Sequence, residues 1–194
     1  MTGRGVRVIK VGGSLFDYPE LLRAWNRWLA EQSPAAHVLI AGGGKLADVI
    51  READRIWGLG EEAAHWLCVD GLAVSARLLA AILKESQLEG SWERLLQRLD
   101  ERKVDGPLVF CPVQFLKQVE QQLAPHPLPH GWHVTSDSIA ARIAMILDAD
   151  ELVLFKSIDP PVQSAPGPPY VAEYFGRAAH GLKSVRFVNL RRYA

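Results

Sequence analysis

The sequence predicts an α/β fold: a three-layer αβα sandwich built on a mainly parallel central sheet. Short β-branched runs alternate with longer segments of helical periodicity along the chain. Glycine clusters close the first two predicted strands, and right-handed crossovers bring the carboxyl ends of parallel strands to one edge of the sheet. Ligands of such sheets bind beyond that edge. The chemistry is therefore expected in the loops after the first, second and fourth predicted strands.

Arg7 to Val11 (RVIKV) reads as a buried strand closed by Gly12 and Gly13. Between Tyr18 and Gln32, the residues Leu21, Trp25, Trp28 and Leu29 recur at helical spacing. His37 to Ile40 is a second strand. After it, Lys45 to Trp57 reads as a helix with Leu46, Val49, Ile50 and Ala53 on one face. Glu61 to Lys84 is a long helix in which Leu67, Gly71, Val74, Leu78 and Ile82 line up. Ser91 to Arg98 is a short helix, Leu108 to Cys111 a third strand, and Gln114 to Leu123 another helix. Three prolines and a glycine make Ala124 to Gly131 a loop. Ser136 is placed as the N-cap of a helix reaching Leu147, with Ile139, Ile143, Ile146 and Leu147 on one face. Glu151 to Phe155 is a fourth strand, and Pro160 to Pro169 is too proline-rich for regular structure. Val171 to Ala179 reads as helix and Val185 to Asn189 as a fifth strand. With no internal repeat and no domain-sized linker, residues 1–194 read as a single domain, long enough to bury a core.

At 48% hydrophobic and 23% charged residues the composition is that of a globular protein. Twenty-two basic side chains balance twenty-two acidic ones, so the basic excess of a nucleic-acid binder is missing and no nucleic-acid partner is expected. Cys68 and Cys111 sit in apolar stretches and read as buried free thiols, with no disulfide framework or metal-ligand spacing. Arg4 and Arg7 lead into a strand rather than a signal peptide. The most apolar run, His65 to Leu83, is broken by Asp70 and Arg77 and is not read as membrane-spanning. The expectation is a cytoplasmic protein with no membrane partner.

Four loops carry the candidate chemistry. In Lys10-Val11-Gly12-Gly13-Ser14 two glycines let backbone N–H groups approach a phosphate, Ser14 adds a hydroxyl, and Lys10 brings a charge. An ordinary tight βα turn has the same composition, so both readings stand. In Ala41-Gly42-Gly43-Gly44-Lys45 each glycine costs roughly 0.5–1 kcal/mol relative to alanine in regular structure. That cost makes sense where the backbone itself meets a ligand, and the helix that follows attracts anions at its N-terminus. Two such loops on adjacent strands can hold two phosphate-bearing groups face to face, which favours phosphoryl transfer over simple anion binding. Val134 to Ser138 opens a helix; Ser136 and Asp137 serve as cap and dipole partner, or Asp137 fixes the Lys10 ammonium. Phe155 to Pro160 lies where a base and ribose would sit, with Lys156 either ligand-facing or a solvated loop residue. Neither the P-loop pattern nor Gly-x-Gly-x-x-Gly occurs, against a P-loop NTPase and an ordinary Rossmann dehydrogenase.

Lys10 to Ser14, the triple glycine at 42–44 and Thr135-Ser136-Asp137-Ser138, in this order and spacing, resemble the amino acid kinase family of acetylglutamate, aspartate, glutamate and uridylate kinases. The resemblance implies the acetylglutamate kinase-like fold and a phosphotransferase that moves the γ-phosphoryl group of ATP, with Mg2+, onto an acidic oxygen of a small metabolite. It also implies a homodimer. Lys10 to Leu15, Gly42 to Gly44, Ala64-His65-Trp66-Leu67 and Trp132 to Ser138 further resemble the short archaeal-type members of methanofuran or methylofuran synthesis. Those imply [5-(aminomethyl)furan-3-yl]methyl phosphate as the acceptor and its diphosphate as product.

Carried over by residue, Lys10 stabilises the transferring group and Asp137 organises that lysine. Gly12, Gly13, Gly43 and Gly44 give backbone donors, and Ser14, Gly42, Thr135 and Ser136 complete the phosphate- and substrate-binding set. His65 is either a contact for the substrate phosphate or ring, or an interior histidine. Trp132 either stacks on a furan or fills the core. The family's Thr-Asp-x-Asp-Gly nucleotide segment is replaced by Lys156-Ser157-Ile158-Asp159-Pro160, with Asp159 kept in place. The nucleotide side thus rests on Lys156, Ser157 and Asp159, with Lys156 or Lys183 as a second cation, and the chain's end soon after the fifth strand shortens it. Magnesium is expected on the ATP phosphates and water rather than in a carboxylate cage. Two further functions fit these residues: a carboxylate kinase acting on an amino acid, and a non-catalytic nucleotide or oxyanion binder.

Overall fold

A strand of valines and an isoleucine, β1 (Gly5–Val11), runs through the middle of a six-stranded parallel sheet. The computed structural model describes residues 5–101, 104, 106–123, 127–160 and 170–194. The strand order is β3-β4-β2-β1-β5-β6. Here β2 is Ala35–Ala41, β3 Gln87–Glu89, β4 Leu108–Phe110, β5 Glu151–Lys156 and β6 Val185–Asn189. The helices are α1 (Leu21–Ala30), α2 (Lys45–Trp57), α3 (Glu61–Ile82), α4 (Trp92–Asp100), α5 (Val113–Gln118), α6 (Ser136–Ile146) and the single turn α7 (Phe175–Ala178). The αβα arrangement and the five predicted strands are present. The sequence reading missed β3, whose Gln87-Leu88-Glu89 offers one apolar residue and no periodicity.

Alternation along the strands splits the core into two layers. Val8, Val38, Ile40, Leu152 and Leu154 face α6 and the first half of α3, with Ile139, Ile143, Val69 and Leu72 packed on them. Ile9, Val11, Leu39, Val153 and Phe155 face α1, whose Trp25 and Trp28 cover the sheet together with Ala76 and Leu79 of α3. Trp28 is wholly buried and meets Phe155 edge to face at 4.8 Å.

Several element boundaries and faces differ from the sequence reading. The cap of α6 is Thr135, in extended geometry, and Ser136 is already the first helical residue. The segment read as helix from Val171 yields only Phe175–Ala178. The Leu67–Leu78 stripe of α3 faces outward, and α2 packs on α3 with Leu46 and Ile50 against Gly71. Nothing on α2 is buried. On α3 the buried side is Ala64, His65, Val69, Leu72, Ser75, Ala76 and Leu79, while Leu67, Val74 and Leu78 are exposed. By length and composition α3 is apolar enough to cross a membrane, but its buried side lies on the sheet and its outward side carries Asp70 and Arg77. Cys68 and Cys111 are free and half-buried rather than buried. The proline-rich 161–169 stretch and residues 124–126 of the predicted loop lie outside the described residues.

Register aligns the functional edge. Val11 pairs with Ala41 on one side and Phe155 on the other, so β1, β2 and β5 end level. The loops after these three strands are consequently neighbours. At the opposite edge Glu151 gathers Arg7 and Arg186, at 2.6 and 2.8 Å.

Candidate active site

Period-two geometry puts Lys10 on the same face of the sheet as Val8, and Lys156 on the same face as Leu152 and Leu154. That face is covered by α6, whose first turn carries Asp137. The three side chains converge. Asp137 Oδ1 lies 2.8 Å from the Lys10 ammonium, and its Oδ2 accepts from the Lys156 ammonium at 2.7 Å. Lys10 is 6% and Asp137 4% exposed. Lys156 also donates to the Tyr170 carbonyl at 2.8 Å, and its ammonium sits 5.1 Å from that residue's ring centre.

The buried Lys10 ammonium and the half-buried Lys156 one face one carboxylate, so the cluster carries a net positive charge at the sheet edge. Burial acts to raise the Asp137 carboxyl pKa, but the Lys10 and Lys156 charges overcome it and hold the group below the ordinary carboxylate range. Burial, and then the Lys10 charge, lower Lys156 from the usual lysine value, against the pull of Asp137. Such a cluster attracts an anion and is placed to spread charge over it.

The glycine loops meet backbone to backbone. A Cβ on Gly13 would strike the amide nitrogen and Cα of Gly44, and one on Gly44, at φ +53°, would meet the Gly13 carbonyl at 2.9 Å. Only residues without a side chain allow this approach. Not every predicted donor is free, however. The Gly12 N–H donates to the Phe155 carbonyl and the Gly42 N–H to the Val11 carbonyl, both at 2.9 Å, which prolongs the sheet ladder into the loops. Neither amide is available to a phosphate. The Gly13, Gly43 and Gly44 amides have no backbone acceptor among the described residues. The N-cap of α2, Gly44, brings no side-chain partner; its carbonyl already takes the Ala47 N–H at 3.0 Å, which leaves the Lys45 and Leu46 amides of the first turn without a backbone acceptor among the described residues.

A cavity of about 410 Å³ opens from these loops. Gly13, Ser14, Gly43 and Gly44 form one end, α2 adds Lys45, Asp48 and Arg51, and α3 adds His65, Cys68, Val69 and Leu72. The segment before α6 closes it with Trp132, Val134, Thr135 and Ser136. The Thr135 hydroxyl is buried without a hydrogen-bond partner. Trp132 lines the cavity rather than filling the core; its indole N–H donates to Asp54 at 2.9 Å and Arg51 lies over its ring at 5.1 Å. His65 lines it too, with Nδ1 accepting from the Gly131 N–H at 3.4 Å. That bond assigns the proton of the neutral ring to Nε2.

On the β5 side, the Ser14 and Ser157 hydroxyls meet at 2.9 Å and tie the first loop to the fourth. Asp159 is exposed and paired with Arg192 at 2.8 Å. Lys183 does not reach this region. It bonds Asp148, 2.9 Å from its carboxylate, at the edge where β5 begins, so the second cation beside Lys10 is Lys156. The sequence reading missed Arg51, Asp54 and Tyr170. Gly44, Asp48 and Arg51 share a helical face at i, i+4 and i+7, the one signal that pointed α2 side chains toward the glycine loop.

Residues 5–160 match the amino acid kinase family. A relative from Methanocaldococcus jannaschii, named [5-(aminomethyl)furan-3-yl]methyl phosphate kinase, is 25% identical over 163 residues, 84% of this chain and 70% of its own. Among solved structures, uridylate kinase from Archaeoglobus fulgidus superposes with a TM-score of 0.57 at 17% identity, covering 86% of this chain and 69% of that one. UMP kinase from Bacillus anthracis gives 0.56 at 15% identity, covering 85% and 70%.

Proposed function

Because the chain belongs to the amino acid kinase family and is a phosphotransferase, we propose that it transfers the γ-phosphoryl group of ATP to the phosphate of an aminomethylfuran phosphate, giving a diphosphate. The observation that carries the transfer chemistry is the Lys10–Asp137–Lys156 cluster beside two interlocked glycine loops. Phosphoryl transfer asks little covalent chemistry of a protein; position and charge neutralisation do most of it. Lys10 and Lys156 neutralise the group in flight, and Asp137 orients both. The free amides of Gly13, Gly43 and Gly44 bind non-bridging oxygens. An acceptor phosphate is its own nucleophile, so no general base is required.

The acceptor occupies the cavity. Trp132 offers a flat wall to a ring, Val69 and Leu72 an apolar floor, and Arg51 a cation beside them. The name of the Methanocaldococcus jannaschii relative supports this acceptor. On the β5 side Lys156 and Ser157 hold the donor phosphates and Asp159 lies further out. Magnesium comes with the ATP phosphates and keeps most of its water. Residues 1–194 act as one catalytic domain.

The working form in this reading is a homodimer. Leu67, Val74 and Leu78 make an exposed apolar stripe on α3, and Val49, Ile56 and Trp57 of α2 are exposed as well, Trp57 at 77%. Apolar area of this kind is characteristic of an interface.

The deciding experiment incubates purified protein with ATP, Mg2+ and [5-(aminomethyl)furan-3-yl]methyl phosphate, following ADP release and diphosphate formation by phosphorus NMR. Diphosphate is the expected product. Turnover only with amino-acid carboxylates would replace the acceptor, and ATP binding without transfer to any acceptor would make the chain a binding protein.

A further inference from the structure

The segment that closes the cavity, residues 127–135, is held at its root by two histidines that stack on each other. His65 of α3 and His130 of the loop lie ring on ring, 4.8 Å between centroids and 20° from parallel. His65 Nδ1 takes the Gly131 N–H. His130 Nδ1 meets both oxygens of Glu62, at 2.9 and 2.8 Å, and its Nε2 meets the Gln121 amide at 3.0 Å. Trp66, which donates to Glu62 at 2.7 Å, packs edge-on against both rings. Gly131 is flanked by the His133 ring and the Glu61 carboxylate, which a Cβ there would meet at 2.8 and 3.0 Å. One residue further on, Trp132 enters the cavity; five further on, α6 begins.

We propose that His130 is a positioning residue for the acceptor: stacked on His65 and tied to Glu62, it fixes the loop that carries Trp132 and Thr135, and the latch holds only while one ring at most is charged. This deepens the kinase reading and rests on it for the acceptor's place. Two cations face to face at this separation repel each other, so a second proton favours release of the loop. The Glu62 carboxylate relieves it in part, and the other surrounding charges are spent elsewhere. Glu62 engages His130, Glu61 lies against Gly131, and His133 on the same loop adds a further ring. From η2 (Glu120–Gln122), Glu120 is already neutralised by Arg142 of α6; from α5, Lys117 is paired with Asp70. Burial first, and the His130 charge second, keep His65 below the ordinary imidazole value, so the closed latch has a neutral His65 at pH 7.

Two measurements test this. Amide hydrogen exchange, corrected for intrinsic rates, should show protection of residues 127–135 falling several-fold between pH 7.5 and 5.5, while β1 and the body of α6 stay protected. His130→Phe keeps a stacked ring without a proton and should make that protection independent of pH. Glu62→Gln keeps both histidines but weakens the grip on the charged ring, so opening should occur at a higher pH than in the natural chain. In kinetics with the aminomethylfuran phosphate, whose own phosphate also titrates here, the acceptor KM should rise several-fold more over the same range in the natural chain than in His130→Phe. Loop protection that is flat with pH, or equally pH-dependent in His130→Phe, overturns the latch, as does an acceptor KM that follows pH equally in both, in an enzyme that turns the acceptor over. Exchange that behaves as expected in a protein inactive on that acceptor would keep the latch and overturn the acceptor instead.

Discussion

Lys10 and Lys156, which reach the site from adjacent strands, share the two oxygens of one carboxylate, Asp137 Oδ1 at 2.8 Å and Oδ2 at 2.7 Å. Neither lysine has another carboxylate within ion-pairing distance among the described residues. The position of each ammonium therefore depends on the same side chain.

Replacing that carboxylate should cost both stability and rate. In Asp137→Asn the buried Lys10 ammonium and the half-buried Lys156 one lose their counter-charge, a change typically worth about 3–5 kcal/mol. For a domain of this size a melting temperature lower by roughly 10 °C is expected in a thermal scan. Lys10→Ala should lower kcat by about 10²–10³ with a smaller effect on ATP binding. The Lys10→Ala/Asp137→Ala double variant should lose much less than the product of the single losses, because one residue acts through the other. Independent losses in steady-state kinetics would contradict the shared-carboxylate arrangement.

The two glycine loops should differ in tolerance. Gly13→Ala drives a methyl group into the Gly44 backbone and should abolish turnover and lower the melting temperature together. Gly43→Ala meets only the Ala47 methyl, at 3.0 Å, and should keep the fold within about 1 kcal/mol. Turnover assays beside thermal melts on the two variants separate the cases; a stable, active Gly13→Ala enzyme would mean the loops part readily.

Titration of Lys156 should bound activity at high pH. Its ammonium loses its proton below the ordinary lysine value, so kcat should fall on the alkaline side earlier than a solvated lysine near 10.4 would allow. Lys156→Arg, which stays charged, should extend activity to higher pH if it fits. The acid side follows the opposite sign. Asp137 is held low in the folded protein, so its contribution to stability is full above the unfolded carboxyl value near 3.9 and is lost as pH falls through the folded one. Parallel pH–rate and pH–melting series check both limbs.

The outward stripe on α3 should set the association state. Val74→Glu and Leu78→Glu place charges on exposed positions that the monomer's core does not use. Sedimentation analysis is expected to show a dimer for the natural chain and a monomer for the double variant, with the fold intact by circular dichroism. A natural chain that sediments as a monomer would remove the dimer from the proposed function.

Much of the fold was legible because short β-branched runs stand apart from segments of helical spacing, with glycine clusters closing β1 and β2, and because α1 carries a single clear stripe. The candidate site was legible where backbone chemistry fixed residue type, as at the glycine loops, and where a motif put Asp137 at a helix start. Helix orientation was not. On α3 nearly every position is apolar or small, so periodicity does not say which side meets the sheet, and the Leu67–Leu78 stripe that lines up in the sequence is the exposed one. Lys183 and Lys156 were indistinguishable as second cations until strand direction separated them: one follows the carboxyl end of β5, the other precedes β6. The hydrogen bonds that occupy the Gly12 and Gly42 amides depend on pairing across strands far apart in sequence, which no local pattern encodes.

Those two occupied amides have a consequence for how the site is made. Because the ladder continues from β5 through Gly12, and from β1 through Gly42, the backbone of the two glycine loops is an extension of the sheet rather than a flap attached to it. Its shape is settled when the chain folds, so the conformational entropy of ordering it is not charged against ligand binding. The same continuity makes the loops answer to the sheet: a substitution that shifts β5 against β1, such as one at Phe155 beneath Trp28, would displace the Gly13, Gly43 and Gly44 amides from a distance.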